Sequence, residues 1–251
     1  MLLHLLRGAL ILKLVFPRAS AARRRELVGW WSAKLMRIAD VTVRVEGEPP
    51  SALESGAMIA ANHVSWLDIF AISSVRSTRF IAKSEIRDWP VAGWVAERAG
   101  TIFIRRDRRR DTARINELVH AALAAGDCVG LFPEGQTTEG DTLLKFHSSL
   151  FEPAVANDAH VHPCAVRYER ADGSLCREVA YVGERTFPQS MGLVLRQRGV
   201  VARISFAPAL PATHRTRREL ARDSQAAVSS LLGVVPGTPP GTPADPPAAP
   251  R

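Results

Sequence analysis

A histidine and an aspartate stand five residues apart in the stretch NHVSWLD, which covers residues 62–68. On a regular helix, residues five apart are turned about 140° from each other, so His63 and Asp68 could not meet within one straight helix. If Ser65 is the N-cap, Asp68 takes the third helical position and His63 stays on the preceding loop. From that loop the imidazole can reach the carboxylate, and we expect this contact.

Such a pair has the chemistry of two members of a catalytic triad. The aspartate would fix the imidazole tautomer and stabilise the imidazolium, and the other ring nitrogen would take a proton from a hydroxyl. That hydroxyl can belong to a substrate, so no enzyme nucleophile is required. The alternative is structural, because Ser-x-x-Asp before an apolar run is a common helix start. His63 would then be an incidental residue at a strand end.

Strand and helix patterns alternate along most of the chain. Period-two or short apolar stretches predict strands at residues 41–47, 56–61, 79–83, 101–104, 128–132, 160–168, 177–183 and 200–207. Helical spacing predicts helices at residues 20–38, 89–100, 111–126 and about 214–232. This alternation predicts an α/β fold with a mixed, largely parallel sheet flanked by helices. We expect a helical N-terminal part at 1–39, an α/β domain at 40–232 and a disordered tail rich in Pro, Gly and Ala at 233–251.

Three of the predicted strands end in residues that can contact a ligand. The stretch MIAA is followed by His63, TIFI by Arg106, and VGLF by Glu134 and Gly135. In open α/β sheets, ligand sites gather at the carboxyl ends of the strands. We therefore expect these side chains at one edge of the sheet.

The overall charge indicates an anionic partner. The net charge is +8, and only four of the 33 basic residues are lysines. Arginine suits phosphate because its planar fork donates two parallel hydrogen bonds. The basic run at 105–114 lacks interleaved aromatics and any recognisable motif, so we expect no nucleic-acid partner. We also expect no metal, because His160 and His162 have no third ligand placed by the sequence.

The first 16 residues, MLLHLLRGALILKLVF, form an apolar run with basic interruptions. His4, Arg7 and Lys13 break it, which argues against an export signal. The run is also shorter than the roughly 20 apolar residues that span a bilayer. An interfacial helix fits better, with leucines in the acyl region and basic groups at anionic headgroups. The alternative is a helix packed on the protein's own core.

Four blocks in order resemble the glycerolipid acyltransferases of the bacterial lysophosphatidate acyltransferase type. They are the His-x4-Asp, Gly-x-x-Phe-Ile-x-Arg, Phe-Pro-Glu-Gly and Val-x-Pro patterns, which stand here at 63–68, 100–106, 132–135 and 161–163. One His-x4-Asp is a weak signal, whereas four blocks in order are specific. The likeness covers roughly residues 40–210.

The resemblance implies transfer of a fatty acyl group from acyl-CoA or acyl carrier protein to the hydroxyl of a lysophospholipid, first of all 1-acyl-glycerol-3-phosphate. His63 would be the general base, oriented by Asp68. Arg106 would hold the acceptor's phosphate, and Glu134 and Gly135 would help form the acceptor site. No metal or bound cofactor is implied. The N-terminal helical pair would dock on an anionic membrane surface, the cytoplasmic face of a bacterial inner membrane.

Two positions depart from the family's common pattern. Gln136 and Thr137 replace a frequent Thr-Arg pair, and His147 stands where a lysine is frequent. Two cations near the headgroup site are thus missing, so lyso-ornithine lipid, a zwitterion without phosphate, is an alternative acceptor. An alternative of another class is a non-catalytic protein that binds lipid surfaces. Only the enzyme needs His63 and Asp68 together.

Overall fold

The computed structural model describes residues 1–84, 87, 92–104 and 109–237 of the 251-residue chain. Arg106 lies outside the described residues, as does the predicted tail from residue 238 onward.

The described residues form an eight-stranded sheet at the centre of the molecule. Its order is β1-β7-β6-β2-β5-β3-β4, with β8 paired to β6. The strands β2 to β6 run parallel to one another, whereas β7 is antiparallel to β6. This confirms the mixed, largely parallel sheet. The strands are β1 (Val41–Glu46), β2 (Met58–Ala61), β3 (Arg79–Lys83), β4 (Ile102–Ile104), β5 (Val129–Leu131), β6 (His160–Glu169), β7 (Val200–Phe206) and β8 (Leu210–Pro211).

Helices cover both faces of this sheet. Side chains alternate along β2, so Ile59 and Ala61 enter one core while Met58 and Ala60 enter the other. The first core contains residues of α2, α3 and α7, and the second contains residues of α5, α6 and α8. Because β2 is buried on both faces, its sequence is a continuous apolar run. The helices are α1 (Leu2–Leu10), α2 (Ala21–Ile38), α3 (Leu67–Val75), α4 (Ala92–Arg98), α5 (Arg109–Ala124), α6 (Glu152–Ala156), α7 (Phe187–Arg196) and α8 (Arg217–Leu232).

The N-terminal helices pack against each other through one face of α1. The His4 ring stacks on Trp31 at 4.8 Å, and the Trp31 indole N–H donates to the His4 carbonyl at 3.2 Å. Gly8 permits this approach, since a Cβ there would lie 2.5 Å from the Trp31 Nε1. The opposite face carries exposed leucines. The alternative of packing on the protein's own core therefore describes the His4 face, whereas docking of the leucine face on a membrane stays a prediction. No helix in the described ranges is long and apolar enough to cross a membrane.

Pro163 sits inside β6 without disturbing the sheet. Its carbonyl accepts from the Ala207 amide at 3.0 Å, so its missing N–H also faces the β7 side of the strand. There β6 changes partner: His160 and Val161 pair with β8, and pairing with β7 begins at Cys164. Pro163 lies between these two pairings, where its missing N–H removes no hydrogen bond from the sheet.

One predicted strand was wrong, and helix α7 was not predicted. The stretch at 177–183 is a 3-10 turn, Arg177–Val179, followed by irregular chain rather than a strand. Its amides bond locally, since the Val179 amide donates to the Cys176 carbonyl at 3.3 Å. Helix α7 was missed, although its start has a capping box in which the side chains of Thr186 and Gln189 bond reciprocally to the backbone.

Candidate active site

His63 and Asp68 meet at the carboxyl end of β2. The ring Nδ1 lies 2.7 Å from the Asp68 Oδ2, with His63 on the loop and Asp68 in the first turn of α3. This contact confirms the geometry expected from their spacing. Because a carboxylate only accepts, we assign the neutral ring's proton to Nδ1, which leaves the lone pair on Nε2.

The Asp68 carboxylate is fully buried and accepts from four donors. Besides the imidazole, Oδ2 accepts from the amides of Val64 at 2.8 Å and Ser65 at 2.9 Å. Its Oδ1 accepts from the Tyr168 hydroxyl at 2.8 Å. A buried charge is tolerated only when it is satisfied in this way, so the surrounding chain holds the carboxylate in one orientation.

The expected N-cap at Ser65 was wrong. Helix α3 begins at Leu67, and its N-cap residue is Trp66, which makes no side-chain capping bond. The Ser65 hydroxyl is buried and has no partner within the described part of the chain. The reason is that Asp68 itself closes the turn, by accepting from the Ser65 amide. Asp68 thus accepts from the amide three residues before it and also contacts the imidazole.

The His63 ring is held by packing as well as by Asp68. It stacks on Phe132 with ring centroids 3.9 Å apart and planes 7° from parallel, and Phe132 stacks in turn on Phe80 at 5.3 Å. The His63 side chain remains 21% exposed. Its Nε2 has no hydrogen-bond partner among the residues that the structure describes. In the described structure, Nδ1 of the imidazole is therefore bonded to Asp68 and Nε2 is not hydrogen-bonded.

Glu134 fixes the backbone that carries the imidazole. Its Oε1 accepts from the His63 amide at 2.7 Å, and its Oε2 accepts from the Leu144 amide at 2.7 Å. The His63 carbonyl accepts from the Thr138 amide at 2.8 Å, so both main-chain groups of His63 bond to the segment that follows β5. Burial raises the pKa of Glu134 to about 7, the two amide donors oppose that rise, and nearby Asp68 adds to it.

The structure thus brings His63, Asp68 and Glu134 together as expected. Gly135 adjoins them with a φ of 79°, a left-handed conformation that glycine adopts at little cost. The expected place of Arg106 lies outside the described residues. His160 and His162 lie at the opposite edge of the sheet, where both contact Glu54.

Tyr168 and Phe132 contact the pair but were missed by sequence reasoning. Tyr168 lies 100 residues from Asp68 in sequence, and only the pairing of β2 with β6 brings it close. Burial, followed by the nearby Asp68 charge, raises the pKa of Tyr168 well above its usual value. Its hydroxyl therefore stays protonated and donates. The signal within the sequence was the period-two pattern that places Cys164, Val166 and Tyr168 on one face of β6.

The chain belongs to the acyltransferase family, because the family model described as Acyltransferase matches residues 42–167, a range that includes His63, Asp68, Glu134 and Gly135.

The chain is also similar to two relatives and to one solved structure. The chain is 38% identical over 206 residues to the lyso-ornithine lipid O-acyltransferase of Pseudomonas aeruginosa, covering 82% of this chain and 78% of the relative. It is 36% identical over 185 residues to a 1-acyl-sn-glycerol-3-phosphate acyltransferase of Neisseria gonorrhoeae, covering 74% and 71%. The fold is similar to the crystal structure of the 1-acyl-sn-glycerophosphate acyltransferase PlsC from Thermotoga maritima, with a TM-score of 0.64, 18% identity, and coverage of 92% and 94%.

Proposed function

We propose that this acyltransferase moves a fatty acyl group from a thioester donor to the free hydroxyl of a lysolipid, with His63 as the general base. The observation that supports this best is the 2.7 Å contact between Nδ1 and Asp68, together with an Nε2 that has no partner among the described residues. A histidine held in this way is suited to take a proton from a bound alcohol.

The reaction follows from these positions. Nε2 takes the proton of the lysolipid hydroxyl while its oxygen attacks the thioester carbonyl carbon. The imidazolium that forms is stabilised by Asp68. The tetrahedral intermediate then expels the donor's thiolate, which takes the proton back from Nε2. An ester forms, a thioester breaks, and the imidazole returns to its neutral state. No bound cofactor takes part, and the donor is acyl-CoA or acyl carrier protein.

The first candidate acceptor is 1-acyl-glycerol-3-phosphate, and the product would be phosphatidate. The arginine at 106 supports this acceptor, because the resemblance assigns it to the phosphate and a guanidinium matches phosphate geometry. The Neisseria gonorrhoeae relative is named for this reaction. Glu134 and Gly135 would border the acceptor, next to the loop that carries His63.

The second candidate acceptor is lyso-ornithine lipid. It is favoured by Thr137, which stands in the place of a frequent arginine and donates its hydroxyl to the Tyr181 carbonyl. That position is neutral and already bonded to the backbone, so it offers no cation to a phosphate. The relative from Pseudomonas aeruginosa is named for this second reaction.

An acceptor panel tests both candidates. The purified protein in mixed micelles would receive radiolabelled acyl-CoA or acyl carrier protein with lysophosphatidate, lyso-ornithine lipid, or a lysophosphatidate analogue that lacks the free hydroxyl. We expect labelled diacyl product from at least one of the two lysolipids and none from the deoxy analogue. Absence of label from both lysolipids with both donors would overturn the proposed function.

We also propose that α1 rests in the membrane interface on the cytoplasmic face of a bacterial inner membrane. Its support is a stripe of exposed leucines on the face opposite His4 and Gly8, at positions 3, 6 and 10 of α1 and at position 14 in the turn that follows it. Arg7 lies over the Trp30 ring at 4.6 Å, so a cation and an amphipathic aromatic flank the stripe.

Replacing two of these leucines tests the docking face. In the double variant Leu6→Gln with Leu10→Gln, two side chains that are 53% and 57% exposed lose their apolar surface. Each leucine that enters the acyl region contributes about 1.5–3 kcal/mol. We therefore expect the ratio of vesicle-bound to free protein to fall at least about 10-fold.

The matched control is Leu53→Gln, since Leu53 is 95% exposed but lies on the loop before β2. Co-sedimentation with vesicles containing anionic lipid measures both variants. Binding of the double variant equal to wild type, or an equal loss in the control, would contradict docking through α1.

A further inference from the structure

Among the described residues, Tyr168 has the one side-chain hydroxyl that hydrogen-bonds to the His63–Asp68 pair. It lies on β6, is buried, and donates at 2.8 Å to Oδ1, the Asp68 oxygen that the imidazole does not use. The imidazole and two amides bond to Oδ2 instead. Tyr168 is therefore the sole donor to Oδ1 in the described part of the chain, and removing its hydroxyl changes the charge on the carboxylate without touching His63.

We propose that Tyr168 is a positioning residue for acyl transfer, which sets the basicity of His63 by holding part of the negative charge of Asp68. This inference rests on the proposed role of His63 as general base. A hydrogen bond donated to a carboxylate withdraws charge from it. With that bond in place, Asp68 attracts the Nδ1 proton less strongly, so the imidazolium that forms during proton transfer is less stabilised.

The titratable groups that face His63 and Asp68 determine how a change at Tyr168 reaches the imidazole. In the part of the chain that the structure describes, these titratable groups are Glu134 from the loop after β5 and Tyr168 and Cys164 from β6. The Cys164 thiol is fully buried, and burial keeps its pKa high. Glu134 bonds to the His63 and Leu144 amides and does not contact Tyr168. A change at Tyr168 therefore reaches His63 through Asp68.

The first test is Tyr168→Phe, which removes one oxygen and keeps the ring. We expect kcat to fall about 10-fold, less than the loss of the base itself, because Asp68 loses one of the four bonds that hold it, with both KM values changed less than about twofold. We also expect the acid limb of the pH profile of kcat/KM to move up by roughly 0.5–1 unit, because the unshared Asp68 charge stabilises the imidazolium more strongly. A limb that stays in place or moves down would overturn the inference.

The second test leaves the hydroxyl in place and makes it a stronger donor. The chain has two tyrosines, so 3-fluorotyrosine in a Tyr181→Phe background labels Tyr168 alone. Fluorine acidifies the phenol, so Asp68 is neutralised further and the acid limb should move down, opposite to Tyr168→Phe. The control is the same background with ordinary tyrosine. This test can be made even if Tyr168→Phe does not fold. An acid limb that stays in place or moves up would overturn the inference.

His63→Ala, assayed in parallel, separates this inference from the proposed function. Retained activity in His63→Ala would show that His63 is not the general base, and it would refute the role of Tyr168 as well. An inactive His63→Ala together with unmoved limbs in both tyrosine tests would overturn the role of Tyr168 alone.

Discussion

Asp68→Asn is expected to lower acyl transfer by about 10²- to 10⁴-fold, the scale seen when a triad histidine loses its orienting carboxylate. Four donors converge on the carboxylate, and two oxygens accept all of them. An amide replaces one oxygen with an NH₂ group, which would then face a donor. If the NH₂ faces His63, the ring must present a lone pair at Nδ1, and Nε2 carries the proton. The neutral ring could then no longer accept a proton at Nε2.

The folded state of this variant must be measured together with its rate. Leaving a buried donor without an acceptor costs about 1–3 kcal/mol, so a lower melting temperature is also expected. The control is Asp172→Asn, which changes the same group on an exposed turn where Asp172 accepts from Ser174. A folded Asp68→Asn protein with a rate within about threefold of wild type would contradict the orienting role.

The local part of the site was accessible from the sequence because its distances along the chain are short. His63 and Asp68 are five residues apart, so the loop-to-helix geometry alone limited how they could meet. The position of Glu134 followed from a second local rule, since a residue that ends one parallel strand lies beside the residue that ends its neighbour. The pairing of β2 with β5 realises that arrangement.

The remaining contacts depend on the order of strands in the sheet, which a single chain's periodicity does not give. Tyr168 reaches Asp68 only because β6 lies next to β2. Phe132 stacks on His63 only because β5 lies on the other side of β2. The 3-10 turn at Arg177–Val179 was mistaken for a strand because a short alternating apolar pattern fits both. Helix α7 was available in the sequence through its capping box.

Glu134 shows how a family role and a local geometry can differ. The resemblance assigns this glutamate to the acceptor site, yet both of its oxygens accept from backbone amides. These bonds tie the His63 loop to the segment after β5. The same carboxylate therefore supports the position of the base, whatever further contact it makes with a lysolipid.

His63→Ala is expected to lower acyl transfer by at least about 10²-fold, the lower scale for loss of a general base. The substitution removes the imidazole while the backbone bonds of residue 63 to Glu134 and Thr138 remain available. The loop should therefore keep its course, and the loss should appear in kcat more than in KM. The control is His120→Ala, because His120 is exposed on α5, away from the Asp68 contact.

The most direct test of the general base is the single-turnover rate of acyl transfer by His63→Ala, with the lysolipid bound before acyl-CoA is added. The acceptor is whichever lysolipid the panel identifies, and binding is saturated so that only the chemical step is compared. A rate at least about 10²-fold below that of wild type and His120→Ala, in a protein with an unchanged unfolding transition, is the expected result. A His63→Ala rate equal to wild type would show that the proton of the lysolipid hydroxyl is removed by another group.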